Sequence, residues 1–470
     1  MPKRQPRLTS ICLSLICFLL LISCGQQTTG PSLGGTPAAS PSSPSPSASA
    51  QPSPSPTSGS QSQKNIKLVV WDTATSGVQK EIIETLAREF EKDNPGVQIE
   101  HEGYPFDELQ KTLQRAITSG KGPDIAQINN GESSMGPLVR AKLLIPLTKY
   151  DKQYGWSKKF APALLARNMY TEDGKTFGKG VLWGVSQTGE LVGFYYNKKI
   201  FQQNGIQVPK TFDELEQVMQ TLKDKGVTPL IFGNLDKWQA IHLYGEILGT
   251  MTNREYLDGL IYRQGNKSWD TPQIKQAAAK LQEWESKGYF IKNYAALHSD
   301  DAWKLFAAGK GAMLLQGSWL TGDIQKAMGS NAGFFAMPPR GNKTVLHVGG
   351  VGIPYGIIKT TKYPDVAAKF INFLVSDRAV QLLLENGQLP AIKVPQSYIK
   401  PNTVSGDLYK AWNKVNDENA LGHYLDWATP TFYDTLTAHL QLLLAHKESP
   451  DQFAKALEAD YSKFLQQEQK

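Results

Sequence analysis

From about Asn65 onward, apolar positions along the chain alternate between two spacings. Ile66-Lys67-Leu68-Val69-Val70 is a short, nearly continuous apolar run and predicts a buried strand. Val78, Ile82, Ile83, Leu86 and Phe90 then recur every three or four residues, which predicts a helix with one buried face. Asn94-Pro95-Gly96 breaks that helix. Val97-Gln98-Ile99 predicts a second strand. Leu109, Leu113 and Ile117 line a second helix that Gly120-Lys121-Gly122-Pro123 ends, and Asp124 to Ile128 predicts a third strand. A strand–helix alternation of this kind predicts a mostly parallel, doubly wound sheet.

The pattern returns further along. Leu191 to Tyr196 reads as a strand. Thr211-Phe212-Asp213-Glu214 is a capping box that opens a helix running to about Lys225. Pro229 to Phe232 and Ala312 to Leu315 read as strands, and Pro364 to Val375 and Ala379 to Glu385 as helices. The last fifty or so residues read as helical, with Leu436, Leu440 and Leu443 in one stripe. The expected fold class is α/β with two lobes. A length of 470 residues agrees, since domains run at roughly 150 residues each.

Ahead of this body the pattern differs. Lys3, Arg4 and Arg7 precede an almost wholly apolar stretch from Ile11 to Ile22. That stretch is shorter than the ~20 residues a bilayer span needs and fits the core of a secretory signal. Cys12 and Cys17 lie within it, and Leu21-Ile22-Ser23-Cys24 resembles a bacterial lipobox. The expectation is a signal peptide at 1–23 and an acylated Cys24, so that the protein is extracytoplasmic and lipid-anchored to the outer face of the plasma membrane. From Gly25 to about Gln63 the chain is almost entirely Ser, Pro, Gly, Thr, Ala and Gln. Such a segment buries too little to offset its ordering entropy, and its prolines favour an extended form. Residues 24–64 therefore read as lipidated cysteine plus a disordered tether. The body holds no further cysteine and relies on packing without disulfides.

Charge narrows the function. The net charge is +7, and no block of like charge occurs in the body, so a nucleic-acid surface is not indicated. No G-x-S-x-G nucleophile elbow, H-E-x-x-H or phosphate loop ending in Gly-Lys-Ser/Thr occurs, and the seven histidines are scattered. An enzyme, a cofactor and a metal are therefore not expected.

Six stretches carry a family resemblance: KLVVWD at 67–72, GKGPDI at 120–125, FYYNKKIFQQNGI at 194–206 followed by PKTFDEL, FAAGKGAMLLQGSW at 306–319, HVGGVGIP at 347–354 and FINFLVSDRAVQLLLENGQLPA at 370–391. In this order the body resembles the maltose-binding-protein-like solute-binding proteins of ABC importers. The resemblance implies a periplasmic-binding-protein fold with hinge and inter-lobe cleft, and extra C-terminal helices. Residues 65–186 plus 353–395 would form the N-terminal lobe and 187–352 the C-terminal lobe. Residues 396–470 would form a helical segment packed on the latter. The chain would cross near Ser186 to Leu191 and again near Gly352 to Gly356. The implied partners are a carbohydrate ligand, the importer's permease subunits and, through Cys24, the membrane, with the protein a monomer.

A sugar offers apolar faces and a belt of hydroxyls, so its site needs flat aromatic rings and planar side chains that bond two hydroxyls at once. Trp71 and Asp72 close the first strand. Asn129, Asn130 and Glu132 follow the third. Trp238 and Gln239 follow the strand near Ile231 and match the family's aromatic position in the second lobe. Gly317 and Trp319 follow the strand at 312–315, the glycine leaving room for a ligand beside the backbone. Gly349 and Gly350 could present bare amides, and Asp426 with Trp427 sits in a break before the last helices. All are candidate ligand residues, whereas Trp284 and Trp303 lie in helical patterns and read as packing. Other readings are a polyamine, ferric iron at the adjacent Tyr195 and Tyr196, and a glycoside hydrolase. The last needs only two carboxylates about 5–10 Å apart.

Overall fold

The computed structural model describes residues 65–468. The signal segment, Cys24 and the tether lie outside the described residues. Among those described, no helix is long and apolar enough to cross a membrane.

The strands in chain order are β1 (Ile66–Asp72), β2 (Val97–Gly103), β3 (Ile125–Gln127), β4 (Met169–Tyr170), β5 (Val181–Leu182), β6 (Gly189–Asn197), β7 (Leu230–Ile231), β8 (Met313–Gly317), β9 (Ala332–Phe335), β10 (Gly349–Val351) and β11 (Tyr355–Ile357). The first sheet has the order β11-β3-β1-β2. β1 runs parallel to β2, with Ile66 opposite Val97, and parallel to β3, with Val70 opposite Ile125. β11 closes the edge antiparallel to β3. Leu68 and Val70 point from β1 onto Val78, Ile82, Leu86 and Phe90 of the helix Gly77–Asp93, the face anticipated from their spacing. Phe90 in turn meets Phe370 of the helix Pro364–Leu374 edge-on at 5.0 Å.

The second sheet is built around β6, which pairs antiparallel with β8, β9 and β10, while β7 joins β8 in parallel. The parallel arrangement expected from the sequence therefore holds for the three leading strands and not for this sheet. β6 is a crossing strand that enters from the first sheet, so its direction is set by where the chain comes from and not by a local strand–helix unit. Both of its faces are covered. Val192 and Phe194 lie in one apolar cluster, and Leu191 and Tyr195 in another. Thr211 does cap the helix Phe212–Asp224, accepting from the Glu214 N–H at 3.1 Å, while the Glu214 carboxylate accepts from the Lys210 N–H at 2.6 Å.

The helices Phe432–Leu444 and Pro450–Glu468 pack on the helices Trp238–Gly249 and Pro272–Ser286, which cover the second sheet. Tyr244 against Phe453 at 5.2 Å and Trp269 against Phe432 at 4.5 Å mark that seam. Trp284 is buried there, stacked on Phe212 and donating to Glu216 at 2.7 Å, and Trp303 is half-buried. The architecture is a two-lobed α/β fold with a hinge, a cleft and added C-terminal helices.

Among the described residues the chain passes between the sheets three times: into β6, from β10 to β11, and from the helix Asp377–Glu385 to the helix Val404–Asp417. These passages are laced together. Ser186 donates to the Gly352 carbonyl at 2.7 Å, Gly352 N–H to Thr188 at 2.8 Å, and Thr188 bridges to Pro390.

Candidate functional site

Open α/β sheets bind ligands outside the carboxyl ends of their strands, and the segments that follow β7 and β8 occupy such positions. β8 ends at Gly317, and the short turn Ser318–Leu320 carries Trp319. After β7 the loop reaches Lys237, whose left-handed backbone (φ 68°) turns the chain into the helix Trp238–Gly249. Trp238 and His242 are one turn apart on that helix and therefore share a face. The Trp238 and Trp319 indoles meet edge-on at 5.9 Å, both half-buried. His242 sits 5.1 Å from Trp238, 5.7 Å from Trp319 and 5.3 Å from Tyr424, and Tyr424 lies 5.4 Å from Trp427. The result is a continuous row of rings that begins partly open at the two indoles and ends at Trp427, 1% exposed. Burial pushes the His242 imidazole down to about 3, so the row is uncharged at neutral pH.

The glycine before Trp319 has a different use from the one expected. A Cβ on Gly317 would lie 1.9 Å from the Trp319 ring. The space it leaves is filled by the indole folding back over the strand end, not by an approaching ligand.

A polar wall adjoins the rings. Glu190, at the start of β6, accepts from the Tyr424 hydroxyl at 2.6 Å. It lines a cavity of about 40 Å3, room for about three waters, together with Thr73, Gln127, Gln187, Thr188 and Gln388. Thr73 donates to Gln127 from its backbone at 2.9 Å and from its hydroxyl at 2.8 Å, while the buried Gln187 Nε2 has no protein partner. The described lining contains no Lys, Arg or His. Burial pushes the Glu190 carboxyl up to about 7, opposed by the Tyr424 hydrogen bond. An unfolded Glu titrates near 4.3, so the folded state holds the proton more tightly. Stability from this group is complete below about pH 4.3 and is lost as pH rises through 7. The stability of the wild type relative to Glu190→Gln should therefore fall between these limits and be flat outside them. Thermal unfolding of both proteins from pH 4 to 8 measures it; a constant difference would remove Glu190 as a titrating group.

Other residues singled out from the sequence face inward. Asp72 is fully buried. It accepts from the Ala74 N–H and the Tyr355 hydroxyl, each at 2.9 Å, and lies 2.7 Å from His101 Nε2. Trp71 packs on Tyr104 at 4.9 Å within the core. The Asn129 amide donates to Asp426 at 2.8 Å and to Ser133 at 2.7 Å, and accepts from the Trp427 indole at 3.3 Å. Burial pushes Asp426 up to about 6, against the pull of that amide. Asn130 donates to the Arg167 carbonyl and to Asn168. Both Glu132 oxygens are engaged, by Arg140 and Arg263 at 2.6 Å each and by Tyr170 at 3.1 Å. Gln239 donates to Ser299 at 3.0 Å, leaving its buried Oε1 unpaired.

Gly349 and Gly350 belong to β10, with φ of 152° and 139°. The buried Arg167 guanidinium donates to the Gly349 and Gly422 carbonyls, and a Cβ on Gly350 would sit 1.4 Å from its Nη1. Their bareness accommodates an arginine. The structure thus brings Trp238 and Trp319 together at the open end of the row and ties Asn129, Asp426 and Trp427 to one another behind it. Glu190, Tyr424, His242 and Arg167 were not singled out. The one sequence signal for Glu190 was an acid at the mouth of an otherwise apolar strand.

A family model described as bacterial extracellular solute-binding protein matches residues 85–405. The multiple sugar-binding protein of Streptococcus mutans is 25% identical over 303 residues, covering 64% of this chain and 69% of that protein. The maltotriose-binding protein of Pyrococcus abyssi is 26% identical over 337 residues, covering 69% and 66%. A chitin oligosaccharide binding protein superposes with a TM-score of 0.72 at 23% identity over 85% of this chain and 99% of its own. A solute-binding protein solved in complex with raffinose superposes with a TM-score of 0.67 at 20% identity over 85% and 99%. These two structures share the fold.

Proposed function

Because the chain belongs to the bacterial extracellular solute-binding proteins, we propose that it captures a sugar or oligosaccharide between its lobes and hands it to the permease of an ABC importer. The observation that supports this reading is the half-buried Trp238–Trp319 pair, joined through His242 and Tyr424 to the Glu190 carboxylate and the amides that line its cavity. Indole faces match the apolar side of a pyranose, and amides with a carboxylate match its hydroxyls. Capture is reversible and involves no chemistry. The names of the sugar-binding relatives support the ligand class. We place the N-terminal lobe at 65–186 plus 353–395, the C-terminal lobe at 187–352, and residues 396–470 on the latter. The protein acts as a monomer held at the outer face of the plasma membrane through an acylated Cys24 and its tether.

Ferric iron at the adjacent tyrosines is poorly supported. Tyr195 is buried and holds Thr321 at 2.5 Å and the Gly317 carbonyl at 3.2 Å, while Tyr196 points to the other face of β6.

A thermal-shift screen against neutral mono- and oligosaccharides should find a ligand that raises the melting point, because binding to the folded state alone stabilises it. For that sugar, Trp319→Ala and Trp238→Ala should each weaken binding by about 1–3 kcal/mol in calorimetry, roughly five- to 150-fold, with little change in melting point. Wild-type affinity in both variants would detach the indoles from the ligand, and turnover of the sugar would replace capture by hydrolysis.

A further inference from the structure

The helix Gly77–Asp93 packs on the first sheet, and the helix Thr321–Met328 packs among the elements of the second. At the start of the first helix, Ser76 stands at the N-cap position in an extended conformation, yet its side chain caps nothing. The cap comes from the other lobe. Asp323 accepts from the Val78 N–H at 3.2 Å. Gly77 takes a left-handed backbone (φ 66°) directly beneath it, and a Cβ there would lie 2.6 Å from the carboxylate. One turn along both helices, Lys326 meets Glu81 at 2.5 Å. Gly322 fits against Val78 and the Asn386 carbonyl, and Gln388 donates to the Trp319 carbonyl at 3.1 Å, so the contact adjoins the turn that carries the candidate stacking ring.

A helix N-terminus presents unsatisfied N–H groups and a partial positive charge, and a carboxylate satisfies both. Most helices draw this cap from their own N-cap residue. Here the cap exists only while the two lobes meet. The Lys326–Glu81 pair is more than half exposed and contributes little by itself, so the weight falls on Asp323.

We propose that Asp323 is a positioning residue for ligand capture: by capping the helix of the opposite lobe it holds the cleft closed and slows release, without touching the ligand. The proposal rests on the capture reading. It predicts that Asp323 slows dissociation and keeps the lobes close together.

The test separates a latch from an ordinary cap. In the full-length protein, Asp323→Ala removes the cap, and Ser76→Asp in the same chain restores one from within the helix's own lobe. Melting temperature, small-angle scattering without sugar, and stopped-flow dissociation of the sugar found by screening are compared. In the double variant we expect a wild-type melting temperature, a larger radius of gyration and dissociation about fivefold faster, the ratio a single helix cap sets. Asp323→Asn, whose amide oxygen can still accept from Val78, should recover most of the slow release. If Ser76→Asp restores scattering and dissociation as well as melting, Asp323 is only a cap and the latch is overturned. If no sugar binds the wild type, the capture reading fails, and the scattering comparison alone upholds or overturns the latch.

Discussion

Glu132→Ala should lower the stability of the fold by about 3–5 kcal/mol, read from the urea midpoint. The carboxylate has no solvent exposure. Arg140 holds one oxygen, Arg263 holds the other, and the Tyr170 hydroxyl adds a third bond. Arg263 is pinned from behind by a hydrogen bond to the Lys175 carbonyl at 2.7 Å, and its guanidinium lies 5.3 Å from the Phe464 ring centre. Deleting the carboxylate leaves two guanidinium groups facing each other with no counter-charge and a buried hydroxyl unpaired. The cost of breaking a buried pair is mainly that of the charge left behind. A ligand-contacting acid would behave differently: alanine would leave the urea midpoint in place and weaken only sugar binding.

Trp427→Ala should cost a similar amount, about 3–5 kcal/mol, as expected for a fully buried indole. Its Cβ packs where a side chain on Gly131 would be, 2.4 Å away, and its ring meets Phe177 edge-on at 6.3 Å and Tyr424 at 5.4 Å. The Arg167 guanidinium lies 6.0 Å from the ring, so truncation also strips cover from a buried cation. Set beside Trp319→Ala, the result distinguishes the two ends of the aromatic row. Loss at the buried end should appear in the melting temperature, and loss at the open end in affinity. Equal melting temperatures for Trp427→Ala and Trp319→Ala would contradict this division.

Those two residues show where sequence reading stops. Glu132 and Trp427 both follow an element end in a polar neighbourhood, as Trp238 does, and on paper they look alike. What buries Glu132 is Arg263, and what covers Trp427 is Gly131 and Arg167, all from distant parts of the chain. Periodicity carries no information about such partners. The same limit hid Tyr424 and Glu190, whose hydrogen bond joins residues 234 positions apart. It also hid the antiparallel run of the second sheet, because strand direction follows from the chain path. The elements whose spacing is local were legible. They include β1 and its helix through Phe90, the capped helix after Thr211, and the leucine stripe near the C-terminus. The positions of Trp238 and Trp319 were legible for the same reason, since Trp319 lies in the turn right after a short apolar strand and Trp238 opens the helix reached by the loop after another.

The place of β11 at the edge of the first sheet has a consequence for synthesis. That strand, and the helix that brings Phe370 against Phe90, emerge from the ribosome only after every strand of the second sheet. The part translated earliest is therefore completed near the end. Pairings so distant along the polypeptide form slowly. The first sheet therefore lacks its edge strand until most of the chain has been made, while the second sheet has all its strands before that point.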